Sequence, residues 1–442
     1  MPVAQKQVEL RHQLLERISE ARATTDALFA VVKPQALYDR PIPERHRIIF
    51  YIGHLEAFDW NLLRERALSL GSFHPEFDRL FAFGIDPVGG GLPTDRPSDW
   101  PTIDGVREYV DEARQTLDEA LEDQLADEHP GKEDLTQLLQ VAIEHRLMHA
   151  ETLAYMLHHL PLDRKIKPGE KSEAAVAAVN SYMVRVPEGR ATLGLRRNDP
   201  GVFGWDNEFE QHSVDVPAFS MDRYKVTNGE FLEFMKARGY EKPNYWSEKD
   251  WKWRASAGVT HPGFWVKGQD GWRLRTMFRE IPLPLDWPVY VSQAEASAYA
   301  RWAGRSLPTE AQWQRAAFGT QTGEERQYPW GDKAPSTEHG NFNFERWDPT
   351  SVAAHPEGTS AFGVSDLVGN GWEWTSTPFG PFRGFQPFPF YRGYSADFFD
   401  NKHFVMKGGS PRTAACMLRR SFRNWFQSHY PYVYAGFRCV SH

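Results

Sequence analysis

The stretch Ala298-Tyr-Ala-Arg-Trp-Ala-Gly-Arg-Ser-Leu-Pro-Thr-Glu-Ala-Gln-Trp313 decides how the larger part of the chain folds. Its first residues close a helix running from Ser292 to Arg301. Leu307-Pro-Thr-Glu310 then reads as a strand end that turns into a second helix, Thr309 to Phe318. The Thr309 hydroxyl stands where it can accept from the first free N–H groups of that helix. Around these two helices the chain is rich in Trp, Gly and Pro and poor in periodic runs. We therefore expect a domain in which bulky aromatics fill the gaps left by little regular structure. Gly369, Gly371, Gly408 and Gly409 would mark its tight turns.

The same grammar extends in both directions. Upstream lie Val226-Thr-Asn-Gly-Glu-Phe231 and Pro288-Val-Tyr-Val-Ser292. Downstream lie Tyr328-Pro-Trp-Gly331, Val368-Gly-Asn-Gly-Trp-Glu-Trp-Thr375, Lys407-Gly-Gly-Ser410 and Gly436-Phe-Arg438. Met183–Val186 and Ala191–Gly194 read as short strands around the turn Pro187-Glu-Gly189. Before them, the charged stretch Pro161–Ala178 suits a linker.

The first part of the chain reads differently. Apolar residues at helical spacing (Leu10, Leu14, Ile18, Ala21, Leu28) predict a helix over Val8–Val32. Further helices are expected from Pro43, as a first-turn proline, to Arg64, from Ile103 to Asp127 and from Lys132 to Leu160. Four long amphipathic segments point to a four-helix bundle. The fold class is thus α+β in two domains: a bundle over 1–165, a linker over 166–180 and the aromatic-rich domain over 181–442. The connection Phe73–Pro101 contains Asp86-Pro-Val-Gly-Gly-Gly-Leu-Pro-Thr-Asp-Arg-Pro97, and a loop this long in a compact domain usually has a job.

Composition removes several function classes. A formal net charge of −8 gives no support for a nucleic-acid surface. An aromatic fraction of 14% is too high for a disordered chain. No apolar run is long enough to span a membrane, and the charged N-terminus lacks the apolar core of a secretory signal. Cys416 and Cys439 are the only thiols among the 442 residues, which excludes a disulfide scaffold and a cysteine zinc site. A cytoplasmic location is expected, with small molecules as partners.

The sharpest chemical feature is Glu144-His145-Arg-Leu-Met-His149. Two His four residues apart project from one helical face and can reach one metal ion. The Glu precedes the first His, so the metalloprotease pattern is absent. His54, in Tyr-Ile-Gly-His-Leu-Glu, shares a stripe with Phe50, Phe58 and Leu62, and Gly53 beside it permits close approach of another element. Three inward imidazoles would make a site with open positions, suited to Fe(II), Zn(II) or Ni(II). Cys439 reads as a core thiol.

The motifs of the second half resemble, from about Ser181 to Val440, the formylglycine-generating-enzyme domain, a variant of the C-type-lectin-like fold. That enzyme's cysteine pair is missing, so its reaction is not implied. A His-bearing, DinB-like bundle joined to such a domain resembles the sulfoxide synthases of ergothioneine and ovothiol biosynthesis. The resemblance implies a non-haem Fe(II) held by His54, His145 and His149. It also implies an O2-dependent reaction that joins C2 of the hercynine imidazole to a chalcogen donor. Arg423-Asn-Trp-Phe426 matches the family's hercynine-binding segment, which makes Asn424 and Trp425 the expected substrate contacts, with Phe426 beside them.

Departures from the family pattern bear on the donor. Members that use γ-glutamylcysteine carry an acidic residue where Phe426 stands, and paired arginines in the loop where only Arg96 remains. A dicarboxylate donor would lack its forks. The resemblance is therefore closest to the selenoneine synthase branch, whose donor is a seleno-sugar. Asp86 and Asp95 are expected to accept sugar hydroxyls, with Arg96 near the donor. The family's Tyr-Tyr element is absent, which leaves Tyr391 and Tyr394 as candidate proton donors. Two alternatives stand beside this reading: a sulfoxide synthase using cysteine or γ-glutamylcysteine, and a non-catalytic metal- or sugar-binding module.

Overall fold

The computed structural model describes residues 3–82, 92–126, 134–167, 179, 181–197, 199 and 202–442. The chain divides into two compact units, Met1–Glu170 and Lys171–His442. No helix among the described residues is long and apolar enough to cross a membrane.

Among the described residues the first unit carries α1 (Val3–Ala30), α2 (Ile48–Leu63), α3 (Pro75–Leu80), α4 (Ile103–Ala126) and α5 (Leu135–His159). Helix α1 lies along α5, α2 lies along α4, and α2 also packs on α5. The periodic stripe of α1 does face inward: Leu14, Ile18, Ala21 and Leu28 are buried, Leu10 only partly. Helix α2 is buried nearly all round, which is the signature of a central helix. It begins at Ile48, not at Pro43. The Ile48 and Ile49 N–H groups donate to the carbonyls of Asp39 and Leu37, so tertiary backbone bonds replace a local start signal. Helix α5 is capped by Asp134, whose carboxylate accepts from Thr136 N at 3.0 Å.

The charged stretch Pro161–Ala178 starts inside the bundle. Val32 and Lys165 form a bridge, and the buried Lys165 donates to the carbonyls of Leu157 and His158 at 3.1 and 3.2 Å. A lysine at the end of a helix satisfies its last carbonyls, so residues 161–166 belong to the bundle.

The second unit carries β1 (Met183–Val186), β2 (Gly189–Leu193), β3 (His212–Val216), β4 (Phe219–Asp222), α6 (Asn228–Lys236), α7 (Glu248–Ser256), β5 (Trp265–Gly268), β6 (Gly271–Arg275), β7 (Glu280–Pro282), α8 (Gln293–Trp302), α9 (Glu310–Phe318), β8 (Trp372–Pro378), β9 (His403–Lys407), β10 (Asn424–Gln427), β11 (Ala435–Gly436) and β12 (Val440–Ser441). These form sheets ordered β1-β4-β12, β10-β9-β8-β11, β2-β3 and β5-β6-β7. Strands β1 and β2 flank the expected turn but do not pair with each other. Val186 sits opposite Phe219 in β4, and Ala191 opposite Val214 in β3. A local turn signal carries no information about those distant partners. Helices α6 and α7 lie in a region read as irregular; Thr227 and Ser247 cap them through Glu230 N and Asp250 N.

With few long elements, buried ion pairs hold the loops. Arg438 grips Glu373 through two bonds of 2.6 and 2.7 Å, and Trp313 Nε1 donates to the same carboxylate at 2.9 Å. Lys225 joins Asp366 at 3.2 Å and the Gly369 carbonyl at 3.1 Å. Gly369 has φ +79°, and a Cβ there would meet the Asn341 carbonyl at 2.4 Å, so only glycine fits. Thr309 caps α9 as expected, accepting from Gln312 N at 3.2 Å. Cys439 is buried, and neither it nor Cys416 is in a disulfide.

Candidate metal centre

Packing of α2 on α5 brings His54 against His145 and His149. His54 Nε2 lies 3.3 Å from His149 Nε2, which lies 3.1 Å from His145 Nε2. One ligand nitrogen from each ring falls within 4.8 Å of the others. All three rings are buried, at 4%, 3% and 6% exposure. Among the described residues no second group of ligating side chains gathers in this way.

The rings are held in fixed planes. Phe50 stacks on His54 at 4.9 Å and 20°, and Phe58 stacks on His145 at 3.4 Å and 12°. The Phe81 carbonyl lies 2.7 Å from His54 Nδ1 and accepts its N–H. That bond selects the tautomer whose lone pair is on Nε2, the nitrogen that faces the other two rings.

Burial lowers the His54 pKa to about 4, although the Phe81 hydrogen bond opposes it. Burial first, and then the neighbouring imidazoles, push His145 well below its ordinary value. The same burial, with His54 alongside, lowers His149. The rings are therefore neutral near pH 7, the form that ligates metals. Neutral imidazoles whose Nε2 atoms lie this close either share a ring proton as an N–H···N bond or direct their lone pairs at one cation. Two imidazoles bound side by side at ~2.1 Å from a metal stand ~3 Å apart, which is the spacing found. The residues fit a metal ion.

An ionic clamp stands directly behind the ligands. Arg146, next to His145, is 1% exposed and reaches across to α2. Its guanidinium donates to Glu56 at 2.9 Å through both Nη atoms, to Asp59 at 2.6 Å and to the Leu55 carbonyl at 3.1 Å. Arg114 of α4 adds bonds of 2.7 and 2.9 Å to Glu56. Burial alone would raise the Glu56 pKa, but Arg146 and Arg114 outweigh it and hold the carboxyl at about 2. None of these partners was read from the sequence. The available signal was Glu56 and Asp59 lying on an otherwise apolar helix.

In the second unit Trp425 stacks flat on Phe379 at 4.2 Å and 5°, with Tyr394 edge-on at 5.3 Å and Phe398 at 5.6 Å. Tyr394 is buried against Trp205 at 4.0 Å, and Tyr391 lies 5.6 Å from Tyr394. Asn424 Oδ1 accepts from Trp425 N at 2.8 Å. Phe426 stacks on Tyr430 at 5.2 Å. Arg423 is paired with Glu310 at 2.8 Å and lies over Phe382 at 4.1 Å. Tyr391, Tyr394 and Trp425 thus share one aromatic region, while Phe426, next along β10, stacks on Tyr430 instead.

In the first unit Arg96 is exposed, and its N–H donates to Asp99 at 2.7 Å. Asp95, expected to accept a sugar hydroxyl, is held by residues of its own bundle. It pairs with Arg40, accepts from Arg47 Nε at 2.8 Å and accepts from Trp100 Nε1 at 2.8 Å. Two guanidiniums and an indole thus take three of its roughly four acceptor positions, and its side chain is 23% exposed. Asp86 lies outside the described residues.

Comparison with known proteins matches both units. Residues 17–153 match the DinB superfamily, and residues 169–442 match the sulfatase-modifying factor enzyme 1-like domain. A hercynine oxygenase of Mycolicibacterium smegmatis is 36% identical over 398 residues, 88% of each chain. A hercynine oxygenase of Mycobacterium tuberculosis is 43% identical over 236 residues, covering 53% of this chain and 55% of that one. Ergothioneine biosynthesis protein 1 of Neurospora crassa is 28% identical across 95% of this chain, which spans 56% of the fungal protein.

Proposed function

The chain belongs to the hercynine oxygenase family, and we propose that it is an Fe(II)- and O2-dependent enzyme joining C2 of the hercynine imidazole to a chalcogen donor in the cytoplasm. The observation that carries this reading is the group of three buried, neutral imidazoles with Nε2 atoms 3.1 and 3.3 Å apart. A ferrous ion bound there supplies open coordination positions and the redox capacity that O2 chemistry requires. The balance is simple. The C2–H and chalcogen–H bonds break, a carbon–chalcogen bond forms, and O2 leaves one oxygen on the chalcogen and the other in water.

The protein's own residues do the rest. Phe50 and Phe58 pack against His54 and His145 and keep water from those ring faces. Phe81 holds the Nδ1 proton of His54, so the imidazole cannot turn over. Hercynine carries a trimethylammonium group, which favours aromatic faces. Trp425, with Phe379, Tyr394 and Phe398 around it, is the part of the second unit best suited to that group, and Asn424 is its polar neighbour. Tyr394 and Tyr391 are the phenols of this region that could hand on a proton.

For the donor we favour a seleno-sugar. Supporting this, the position after Asn424-Trp425 is Phe426, stacked on Tyr430, so no carboxylate stands there to receive an amino group. Arg40 and Arg47 are also both committed to Asp95 and offer no fork to a donor carboxylate. The second reading, with cysteine or γ-glutamylcysteine as donor, is favoured by the ergothioneine-pathway name of a relative.

Mass spectrometry of products from hercynine, O2, Fe(II) and a donor panel tests both readings. Faster turnover of 1-seleno-glucose than of either thiol supports the first. The reverse order replaces it with the second.

A further inference from the structure

We infer that Asp78 is a positioning residue for His54, acting through the short helix α3 and the Phe81 carbonyl; this rests on the metal-centre reading above. Helix α3 has six residues. A helix this short does not hold itself together in water, so outside contacts must fix it. Its start is capped by His74, whose Nδ1 accepts from Phe77 N at 3.3 Å. Its middle is fixed by Asp78, which is 4% exposed.

The Asp78 carboxylate accepts from three neutral donors on different parts of the bundle. Tyr109 of α4 donates its hydroxyl at 2.7 Å, Trp60 of α2 its indole N–H at 3.2 Å, and Ser72 its hydroxyl at 2.5 Å. The main-chain carbonyl of Asp78 accepts from Asn61 Nδ2 at 3.1 Å. A buried carboxylate with such partners is a rigid joint, because losing any partner leaves a desolvated polar group.

Three residues beyond this joint is Phe81, and it meets α2 again. A Cβ on Gly53 would lie 2.6 Å from the Phe81 ring, so the glycine is what admits the ring against α2. The Phe81 carbonyl then accepts the His54 Nδ1 proton at 2.7 Å. Asn61 lies seven residues after His54, two turns along the same face of α2. Helix α3 is therefore a strut tied to α2 at two points, its middle and the residue that follows it. The middle is held by Asp78, and Phe81 at the C-terminal end sets the tautomer and plane of the ring. An outer-shell partner that orients a ligating imidazole is worth 10–100-fold in metal affinity (order of magnitude).

The test is titration of the 442-residue apoprotein with Co(II), read by its visible ligand-field spectrum. It compares wild type, Asp78→Asn, Tyr109→Phe and Leu14→Ala. Leu14 is a fully buried core residue on α1 and serves as a stability control. We expect Asp78→Asn to weaken Co(II) binding about 10- to 100-fold and to shift or broaden the spectrum. Tyr109→Phe, which removes one of the three donors, should give a smaller change in the same direction. Leu14→Ala should lower the melting temperature and leave Co(II) affinity within about twofold. If Asp78→Asn does not fold, Tyr109→Phe alone decides. Wild-type affinity and spectrum in the strut variants would overturn the proposal. Absence of Co(II) binding by the wild type would instead overturn the metal-centre reading.

Discussion

His54 donates its Nδ1 proton to the main-chain oxygen of Phe81 at 2.7 Å, across 27 residues of sequence. This single bond decides which nitrogen of His54 faces His149. It also makes the geometry of the metal centre depend on how closely Phe81 can approach α2.

Gly53→Ala should therefore loosen the site without unfolding it. The added methyl would fall 2.6 Å from the Phe81 ring, which is itself fully buried. Alanine gains about 1 kcal/mol of helix propensity over glycine, while overpacking costs about 1–3 kcal/mol. We expect a net stability change below about 2 kcal/mol by urea denaturation, together with metal binding weakened ~10-fold or more. Unchanged affinity would mean that Phe81 does not set the ring.

Arg146 should be among the most destabilising positions of the bundle. Arg146→Met leaves Asp59 buried at 2% exposure without its guanidinium. Removing one partner of a buried pair costs about 3–5 kcal/mol. The double variant Arg146→Met/Asp59→Leu should recover most of that loss, because Glu56 keeps Arg114 at 2.7 Å. Urea midpoints of the two proteins measure this; equal midpoints would contradict it.

Asp95→Asn should alter donor preference more than stability. The ion pairs it breaks are partly exposed and contribute about 1 kcal/mol or less. The pair they leave lies near the site: Trp100, bonded to Asp95, is 5.8 Å from Phe50, and Phe50 stacks on His54 at 4.9 Å. With Arg40 and Arg47 released, the ratio of kcat/KM for γ-glutamylcysteine to that for 1-seleno-glucose should rise. A constant ratio would remove these arginines from the account of donor choice.

Lys407 should give stability a rising limb in mild alkali. Burial lowers its pKa from 10.5 to about 8, with the facing Glu310 only partly opposing the shift. Between those values the unfolded chain holds the proton and the folded chain does not, so stability from this group increases with pH. The slope is at most about 1.4 kcal/mol per pH unit. Lys407→Met lacks this titration. The stability gap between wild type and variant should widen in favour of wild type from pH 8 to 10 in urea melts. A gap independent of pH would show that the lysine does not titrate there.

Much of the bundle was legible because its information is periodic. Leu14, Ile18 and Leu28 mark the inward face of α1, and the spacing of His145 and His149 puts both on one face of α5 whatever surrounds them. Thr309 was legible because a cap acts within three residues. What was not legible depends on partners distant in sequence. The Phe81 oxygen is a main-chain acceptor, and any residue has one. Arg146 meets Glu56 across 90 residues, and the Arg40 and Arg47 that hold Asp95 lie 55 and 48 residues from it. The start of α2 was misread because backbone carbonyls of Leu37 and Asp39, not a capping side chain, receive its first N–H groups. Helices α6 and α7 were missed although Thr227 with Glu230, and Ser247 with Asp250, spelled their caps.

The most direct test is oxygen uptake by the Fe(II)-loaded chain, recorded beside its iron content, for wild type and His149→Ala. The account predicts one iron per wild-type chain and O2 consumption only when hercynine and a chalcogen donor are both present. It predicts loss of both iron and uptake in the variant. A His149→Ala protein that retains its iron and consumes O2 at the wild-type rate would contradict it.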